Sequence, residues 1–408
     1  MRRQPQIEKK RLWSTLETHS KIGATPEGGL CREALTEADR EGRDLFALWC
    51  RDAGMDVRVD ALGNMFALRS GTDDSLPPVG MGSHLDTQPS GGRFDGVLGV
   101  LGGLEVVRAL NDADLVTRRP IVLINWTNEE GSRFVPSMIG SGVYAGLFDA
   151  GTMLAQQDSE GVRLEDALEA IGYAGTEPVG SPKLHAFIEL HIEQGPILEQ
   201  RGMDVGVVIA SQGMSWNEVT IIGRTAHAGT TPMKLRLDPM MAASRLIVRA
   251  FERAHHTSAA CTTIGSIRTT PASHSTVPKT VTFLLDVRHP EDEVLEELLH
   301  AFDNDADQER SRGFSVDRGE FGGAAGKPFD PTCVNNIRAA VTEAGYSHCD
   351  IISGAGHDAV YVNGVCPTGM IFVPCKGGVS HHPSESITAE QAFKGADVLL
   401  RTMLRLAS

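Results

Sequence analysis

Cysteine is scarce in this chain and is not arranged for a structural role. The seven cysteines are an odd number, they are scattered along 408 residues, and no CxxC pair occurs among them. Disulfide frameworks and cysteine-based zinc sites both need paired, closely spaced cysteines. The pattern therefore predicts reduced thiols, as expected for a cytoplasmic protein, and argues against a disulfide-stabilised scaffold.

Long apolar runs and an excess of positive charge are also missing. No apolar stretch reaches the roughly eighteen residues of a membrane span, and the charged segment MRRQPQIEKKRLWSTLETHS does not resemble a signal peptide. The formal net charge is −15, which argues against nucleic acid or an anionic membrane as a partner. A hydrophobic content of 41% and a charged content of 22% are typical of a globular protein.

The chain is too long for one ordinary core, and its rhythm changes twice. Up to residue 211, short apolar runs alternate with polar tips and helical segments, which favours an α/β fold with a mostly parallel sheet. From Gly213 the order becomes strand, helix, strand, strand, helix, strand, typical of a small ferredoxin-like α+β domain. A Gly-rich linker at 322–326 leads back to α/β-like sequence. We predict a discontinuous domain, residues 1–211 and 326–408, with an insert, residues 212–325.

Four clusters of polar residues each follow a short apolar run. They are His84/Asp86/Asp95, Glu129/Glu130, His191/Glu193/Gln194 and Ser380/His381/His382. Because the strand tips of a parallel sheet meet at one edge, we expect these clusters to converge. They offer imidazoles and carboxylates but no thiolate, too many ligands for one closed zinc site and too few oxygens for calcium. The set favours a binuclear metal site with a bridging carboxylate.

Each cluster alone has an ordinary explanation. A histidine or aspartate in a loop often serves as a cap or turn residue. The glycines at 91–99 match neither GxxxxGK[ST] nor GxGxxG, so tight turns are favoured over a phosphate loop. His357 and His382 are interpreted as neighbours of the ligands, and Glu193 as a supporting residue, because a coordination site has few places.

Taken together, seven runs resemble the amidase branch of the M20 metallopeptidase clan, which includes N-carbamoyl-amino-acid hydrolases, allantoate amidohydrolases and fungal-type β-ureidopropionases. In family order, they are GSHLDTQPSGGRFDG, NEEGSRF, ELHIEQGPILE, GRTAHAGTTPM, FLLDVRHP, GAGHDA and SHHPSE. The resemblance implies a metal-dependent amidohydrolase that cleaves the carbamoyl C–N bond of N-carbamoyl amino acids to the amino acid, carbon dioxide and ammonia. Allantoate hydrolysis and aminoacylase or dipeptidase activity are the alternatives, and a non-catalytic binding protein ranks lower because every ligand position is filled.

The resemblance also implies the roles of the polar residues. His84 and His191 would bind one divalent metal ion, Glu130 and His381 would bind a second, and Asp95 would bridge them. The ions would be zinc, with manganese, cobalt or nickel as alternatives. Glu129 would act as general base and acid, and Asp86 would orient the imidazole of His84.

The small-molecule substrate would carry a ureido or amide group and a carboxylate. By resemblance, Gln194 would contact the ureido group, Arg288 would bind the carboxylate, and the loop at Gly356 would line the pocket. His227, on a lid and dimerisation domain formed by the insert, would reach across a homodimer to the oxyanion of the neighbouring catalytic domain.

One position departs from the family. An asparagine is usual where this chain has Ser275, whose hydroxyl cannot replace both amide groups. Either Thr276 or His274 compensates, or the substrate differs from the usual one. Read from the residues alone, His227 could also be a surface histidine, and Arg288 could pair with Asp286 or Glu291.

Overall fold

A computed structural model describes residues 4–408 and divides the chain into two compact units. The first unit runs up to Ile209 and includes Phe329–Ser408, and the second is Ala210–Pro328. Among the described residues, no helix is both long and apolar enough to cross a membrane. All seven cysteines are free thiols.

The described residues form strands and helices in the following order. The strands are β1 (Asp56–Val59), β2 (Met65–Arg69), β3 (Val79–His84), β4 (Ile121–Trp126), β5 (Ala186–Ile192), β6 (Val205–Ser211), β7 (Gly213–Ile222), β8 (Ala226–His227), β9 (Cys261–Thr270), β10 (Thr276–Val277), β11 (Thr280–His289), β12 (Ser315–Ala324), β13 (Lys327–Pro328), β14 (His348–Ser353) and β15 (Thr368–Val373). The α-helices are α1 (Lys9–His19), α2 (Glu37–Asp52), α3 (Val97–Asp112), α4 (Ile139–Tyr144), α5 (Ala150–Leu154), α6 (Leu164–Ile171), α7 (Ile197–Arg201), α8 (Pro239–His256), α9 (Asp292–Ser311), α10 (Pro331–Ala344), α11 (Asp358–Val362) and α12 (Ala389–Leu406). Two 3-10 helices lie at Met233–Leu235 and Lys376–Gly378.

The large sheet has a parallel centre with antiparallel strands outside it. Its order is β1-β2-β4-β3-β5-β15-β6-β13, and β14 also pairs with β6. The ladders β4-β3, β3-β5 and β5-β15 are parallel, whereas β1-β2, β2-β4 and β15-β6 are antiparallel. Strands β3, β4 and β5 are buried along their whole length, as expected when both faces of a parallel sheet are covered. The predicted α/β fold with a mostly parallel sheet is confirmed.

Helix α3 packs directly on the sheet because glycines replace side chains on one of its faces. A Cβ at Gly99 would lie 2.3 Å from the carbonyl oxygen of Leu190, and one at Gly103 would lie 2.5 Å from Leu123 Cδ1. Nearly every residue of this helix is buried. Close helix–sheet packing therefore explains the glycines, and it places the start of α3 beside the tips of β3 and β5.

The second unit has the split βαβ topology predicted for the insert. Its four-stranded antiparallel sheet has the order β12-β7-β11-β9, with α8 and α9 as the crossover helices. Burial along β11 alternates strictly, and Phe283 and Leu285 point into a core with Leu246 of α8 and Phe302 of α9. The alternation shows that one face of this sheet is covered by the helices.

The glycine-rich segment after the insert differs from the expectation of a linker. Gly322 and Gly323 continue β12, opposite Trp216 and Ser215 of β7. A Cβ at Gly323, whose φ is +147°, would lie 2.4 Å from the carbonyl oxygen of Met214, so the glycine serves close backbone pairing. Sequence composition alone did not distinguish this irregular strand end from a flexible connection.

Candidate metal centre

The polar clusters predicted to converge do so at the carboxyl edge of the parallel strands. His84 ends β3, Glu129 and Glu130 follow β4, and His191 lies near the end of β5. Asp95 lies two residues before the start of α3, and His381 comes from the loop before α12. Three groups of potential metal ligands result, each with its donor atoms within 4.8 Å of one another. The first group is His84/Asp95/His191 and the second is Asp95/Glu130/His381, which share Asp95; the third is Glu189/His191/His357.

The first group is buried and rich in imidazole. Asp95 Oδ1 lies 3.1 Å from His191 Nε2 and 3.7 Å from His84 Nε2, and both imidazole side chains are 1% exposed. Each Nδ1 lies 2.9 Å from a main-chain carbonyl oxygen, of Asp86 for His84 and of Ile192 for His191. A proton on Nδ1 leaves the Nε2 lone pair facing Asp95, which is the tautomer that binds a metal ion.

The second group uses the other oxygen of the same carboxylate. His381 Nε2 lies 3.5 Å from Asp95 Oδ2 and 3.3 Å from Glu130 Oε2. The Gln88 side chain donates to Glu130 Oε2 at 2.8 Å, and its main-chain N–H donates to Oε1 at 3.2 Å. Asp95 thus faces one group with Oδ1 and the other with Oδ2, as a bridging ligand must.

The charge of this site fits a cation. Asp95, Glu129 and Glu130 form ion pairs with histidine but with no lysine or arginine in the described part of the chain. Burial and the charge of Asp95 raise the pKa of Glu130 to about 8. Burial would also raise the pKa of Asp95, yet hydrogen bonds from His191 and His84 hold it well below its usual range. Oxygen and nitrogen donors with excess negative charge suit a borderline divalent ion.

Glu129 lies beside both groups. Its Oε2 is 3.5 Å from His84 Nε2, and the residue is 8% exposed. Burial raises its pKa well above the usual range, with further contributions from the negative charges of Asp358 and Glu130. A raised pKa suits a carboxylate that takes up and returns a proton near neutral pH.

Asp86 acts differently from the expectation that its carboxylate orients His84. His84 Nδ1 is 3.9 Å from Asp86 Oδ1, too long for a hydrogen bond, and it uses the main-chain carbonyl of Asp86 instead. The Asp86 carboxylate accepts the main-chain N–H groups of Glu129 at 3.3 Å and of Glu130 at 3.2 Å. It therefore positions the tip of β4, and the sequence spacing could not distinguish the two arrangements.

Backbone conformation is unusual around the ligands. Asn128, Gln194 and His381 have φ values of 57°, 56° and 53°, in the left-handed region that costs free energy for non-glycine residues. Gly96 has φ +64°, and a Cβ there would lie 2.4 Å from Nε2 of His84. Such residues cluster where tertiary structure holds a functional site in place.

Two predicted substrate residues border the same site. Gln194 Nε2 donates to Asp95 Oδ2 at 2.8 Å, while its Oε1 is buried without a hydrogen-bond partner among the described residues. An unpaired acceptor there suits an N–H donor from a ligand. Gly356 lies on the loop before α11, and a Cβ would lie 3.1 Å from Met138 Cε, next to the segment that follows Glu129.

The other predicted substrate residues lie in the second unit. His227 of β8 pairs with Thr276 of β10, and the N–H of Ala228 donates to the carbonyl of Ser275 at 2.9 Å. His227 Nδ1 accepts main-chain N–H groups, which leaves the proton on Nε2 and makes that atom a donor. On β11, Arg288 forms a 2.8 Å ion pair with Asp286, as the alternative interpretation allowed.

Three residues next to the ligands had no predicted chemical role, although His357 was expected to be a neighbour. The ring of His357 packs at 4.5 Å against His191 with its Nε2 unpartnered among the described residues. Ser380 and Glu385 hydrogen-bond around Asp95. Their presence in GAGHDA and SHHPSE was the available signal, but neither run indicates which side chain turns inward.

Comparison with known proteins decides the family. The model of peptidase family M20/M25/M40 matches residues 80–405. An N-carbamoyl-L-amino-acid amidohydrolase of Rhizobium meliloti is 45% identical over 97% of this chain and 96% of its own length. The chain belongs to peptidase family M20/M25/M40. In the M20/M25/M40 family it falls in the hydantoinase/carbamoylase amidase branch, as predicted, and the predicted enzyme class, a hydrolase of linear amide C–N bonds, is confirmed.

A solved structure and a second relative place the chain further within this family. The crystal structure of an amidase of the hydantoinase/carbamoylase family from Burkholderia multivorans has a TM-score of 0.92 and 46% identity, covering 99% of this chain and 98% of that one. An allantoate amidohydrolase of Bacillus subtilis is 32% identical over 100% of both chains. This M20 chain is therefore similar along its whole length to enzymes with two different named substrates.

Proposed function

We propose that this chain is a metal-dependent amidohydrolase that converts an N-carbamoyl amino acid and water to the amino acid, carbon dioxide and ammonia. The observation that carries the proposal is that Asp95 faces two ligand groups, one with each carboxylate oxygen. Kinship with an N-carbamoyl-L-amino-acid amidohydrolase over nearly the whole chain supplies the substrate class.

The residues present fit two divalent metal ions. His84 and His191 would hold one, Glu130 and His381 the other, and Asp95 would bridge them. Bound there, the ions would lower the pKa of a water molecule and polarise the ureido carbonyl. Zinc suits this mixed set of imidazole and carboxylate ligands, and manganese, cobalt and nickel bind the same types of ligand.

The chain's own residues would move the proton and hold the substrate. Glu129 would take a proton from the attacking water on its carboxylate and pass it to the leaving nitrogen when the C–N bond breaks. The free Oε1 of Gln194 would accept an N–H of the ureido group. Arg288 would bind the substrate carboxylate, with Ser275 and the Gly356 loop completing the pocket, and His227 Nε2 would donate to the oxyanion.

A homodimer is part of the proposal, and the second unit offers the surface for it. Strand β9 is a ten-residue edge strand, and the neighbouring helix α8 exposes Met241, Val248 and Phe251 at helical spacing. Long exposed edges and apolar stripes of this kind mark association surfaces. We also propose a cytoplasmic location, in keeping with seven free thiols.

A substrate panel with metal removal tests the function. Chelator-treated protein should lose activity, regain it with zinc or manganese, and release ammonia from N-carbamoyl-L-amino acids. N-carbamoyl-β-alanine and allantoate form separate arms, and N-acetyl amino acids and dipeptides report aminoacylase or dipeptidase activity without ammonia. Turnover that survives complete metal removal, or no ammonia from any ureido compound, would refute the proposal.

Mixing variants tests the cross-subunit role of His227. Inactive His227→Ala and inactive Glu129→Gln proteins should regain part of the activity when their subunits exchange, because hybrid dimers contain one intact site. Exchange verified by light scattering of tagged chains without any recovered activity would contradict a contribution from the partner subunit.

Allantoate hydrolysis is the second candidate. The 32% identity to the Bacillus subtilis enzyme over both full lengths favours it, since the same ligand set would serve both substrates. A kcat/KM for allantoate well above that for every N-carbamoyl amino acid would establish it instead.

A further inference from the structure

Glu385 is a buried carboxylate that joins the two loops of the second ligand group. It is 1% exposed and lies in SHHPSE, four residues after His381. Its Oε1 accepts the main-chain N–H groups of Phe94 at 2.9 Å and Asp95 at 3.1 Å. Those amides come from a segment about 290 residues earlier in the chain, so Glu385 fixes the loop of Asp95 to the loop of His381.

Ser380 completes this connection on the other side of His381. Its hydroxyl lies 2.9 Å from Glu385 Oε2 and 2.9 Å from Asp95 Oδ2, the oxygen that faces the second ligand group. Gln194 Nε2 donates to the same hydroxyl at 3.2 Å. Glu385 therefore holds the main chain of Asp95 directly, and it holds the carboxylate of Asp95 by way of the Ser380 hydroxyl.

The loop sequence provides space for this carboxylate. A Cβ at Gly92 would lie 2.0 Å from Glu385 Cδ, so only glycine lets Glu385 reach the amides. In the first ligand group, which shares Asp95, the two histidines are held without Glu385, because buried strands carry them and their Nδ1 atoms meet main-chain carbonyls.

We propose that Glu385 is a positioning residue for the second metal ion, acting through Asp95 and Ser380. The inference rests on the proposed binuclear function. Supporting hydrogen bonds to metal ligands typically change metal affinity by about 10- to 100-fold. Loss of Glu385 should weaken binding of the second equivalent by this factor and leave the first equivalent close to wild type.

The experiment titrates metal-free protein with zinc alone, using calorimetry and a competing chromophoric chelator. Glu385→Ala removes the carboxylate, and Gly92→Ala displaces it without changing any charge, so both should weaken the second equivalent. Glu385→Gln keeps an oxygen for the two amides and should restore most of the affinity. Ser384→Ala, an exposed neighbour on the same loop, is the matched control and should bind as wild type.

The outcomes separate this inference from the proposed function. Melting temperatures of the metal-free variants show whether a weaker zinc affinity reflects a general loss of structure. If Glu385→Ala does not fold, the zinc affinities of Gly92→Ala and Glu385→Gln test the inference. Wild-type affinity for the second equivalent in the displaced variants, or equal weakening of both equivalents, would overturn the inference. Because no substrate is needed, absence of ammonia release would overturn only the proposed function. A wild-type chain that binds no zinc would overturn both.

Discussion

The two ligand groups share one carboxylate but are built from different parts of the chain. In the first, buried strands carry imidazoles that are 1% exposed and oriented by main-chain carbonyls. In the second, loops carry His381, which is 51% exposed and has a left-handed backbone, and Glu130, which Gln88 holds. Ligands already fixed by the fold lose little entropy on binding, so we expect the first group to bind metal more tightly.

The largest effect is expected from a substitution that damages both ligand groups at once. Asp95→Ala deletes a ligand from both, so both metal equivalents should be lost and activity should fall by roughly 10³-fold or more, since metal ions supply several kcal/mol of transition-state stabilisation. Elemental analysis of the purified variant measures the equivalents. Retention of one tight equivalent would show that Asp95 does not bridge.

Glu129→Gln should leave both groups intact and still remove catalysis. The substitution keeps the shape of the side chain but not its ability to accept a proton, and general acid–base groups contribute about 10²- to 10⁴-fold. The test measures kcat and metal content in the same preparation of the variant. Full turnover with normal metal content would exclude Glu129 as the base.

Single ligand deletions compare the groups directly. His381→Ala should weaken the second equivalent by at least roughly 100-fold while the first stays bound, because direct ligands matter more than their supports. His191→Ala should instead release the tightly bound equivalent. Zinc titration of both variants gives the order, and the reverse order would refute the assignment of tight and weak sites.

Asp86→Ala should reduce activity by about 10- to 100-fold and retain part of the metal. The carbonyl that orients His84 belongs to the main chain and survives, whereas the amides of Glu129 and Glu130 lose their acceptor. Kinetics and metal content together make the test. Metal loss as complete as in Asp95→Ala would contradict this division of roles.

The smallest effect is expected at Gln88. Gln88→Ala removes the side-chain bond to Glu130 Oε2 but keeps the main-chain bond to Oε1. A net loss of about 1 kcal/mol corresponds to a roughly fivefold weaker second equivalent. Zinc titration resolves this change, and an effect on the first equivalent alone would be inconsistent with the geometry.

The same contrast explains what the sequence could predict. His84, Glu129 and His191 follow short apolar runs, and such runs become buried strands whose ends must meet. The contacts of Asp86, Ser380 and Glu385 depend on which atom of a loop residue turns inward, and periodicity carries no information on that. The end of β12 was taken for a linker because glycine is common both in linkers and at irregular strand ends.

The position of β15 in the large sheet has a consequence for the order of folding. It lies between β5 and β6, although it is made after the whole second unit. Until the C-terminal segment leaves the ribosome, β5 has an open edge and His381 is absent from the centre. A chain made only as far as the second unit would therefore present an apolar strand with one unpaired edge, a known hazard for aggregation, until residues 329–408 are added.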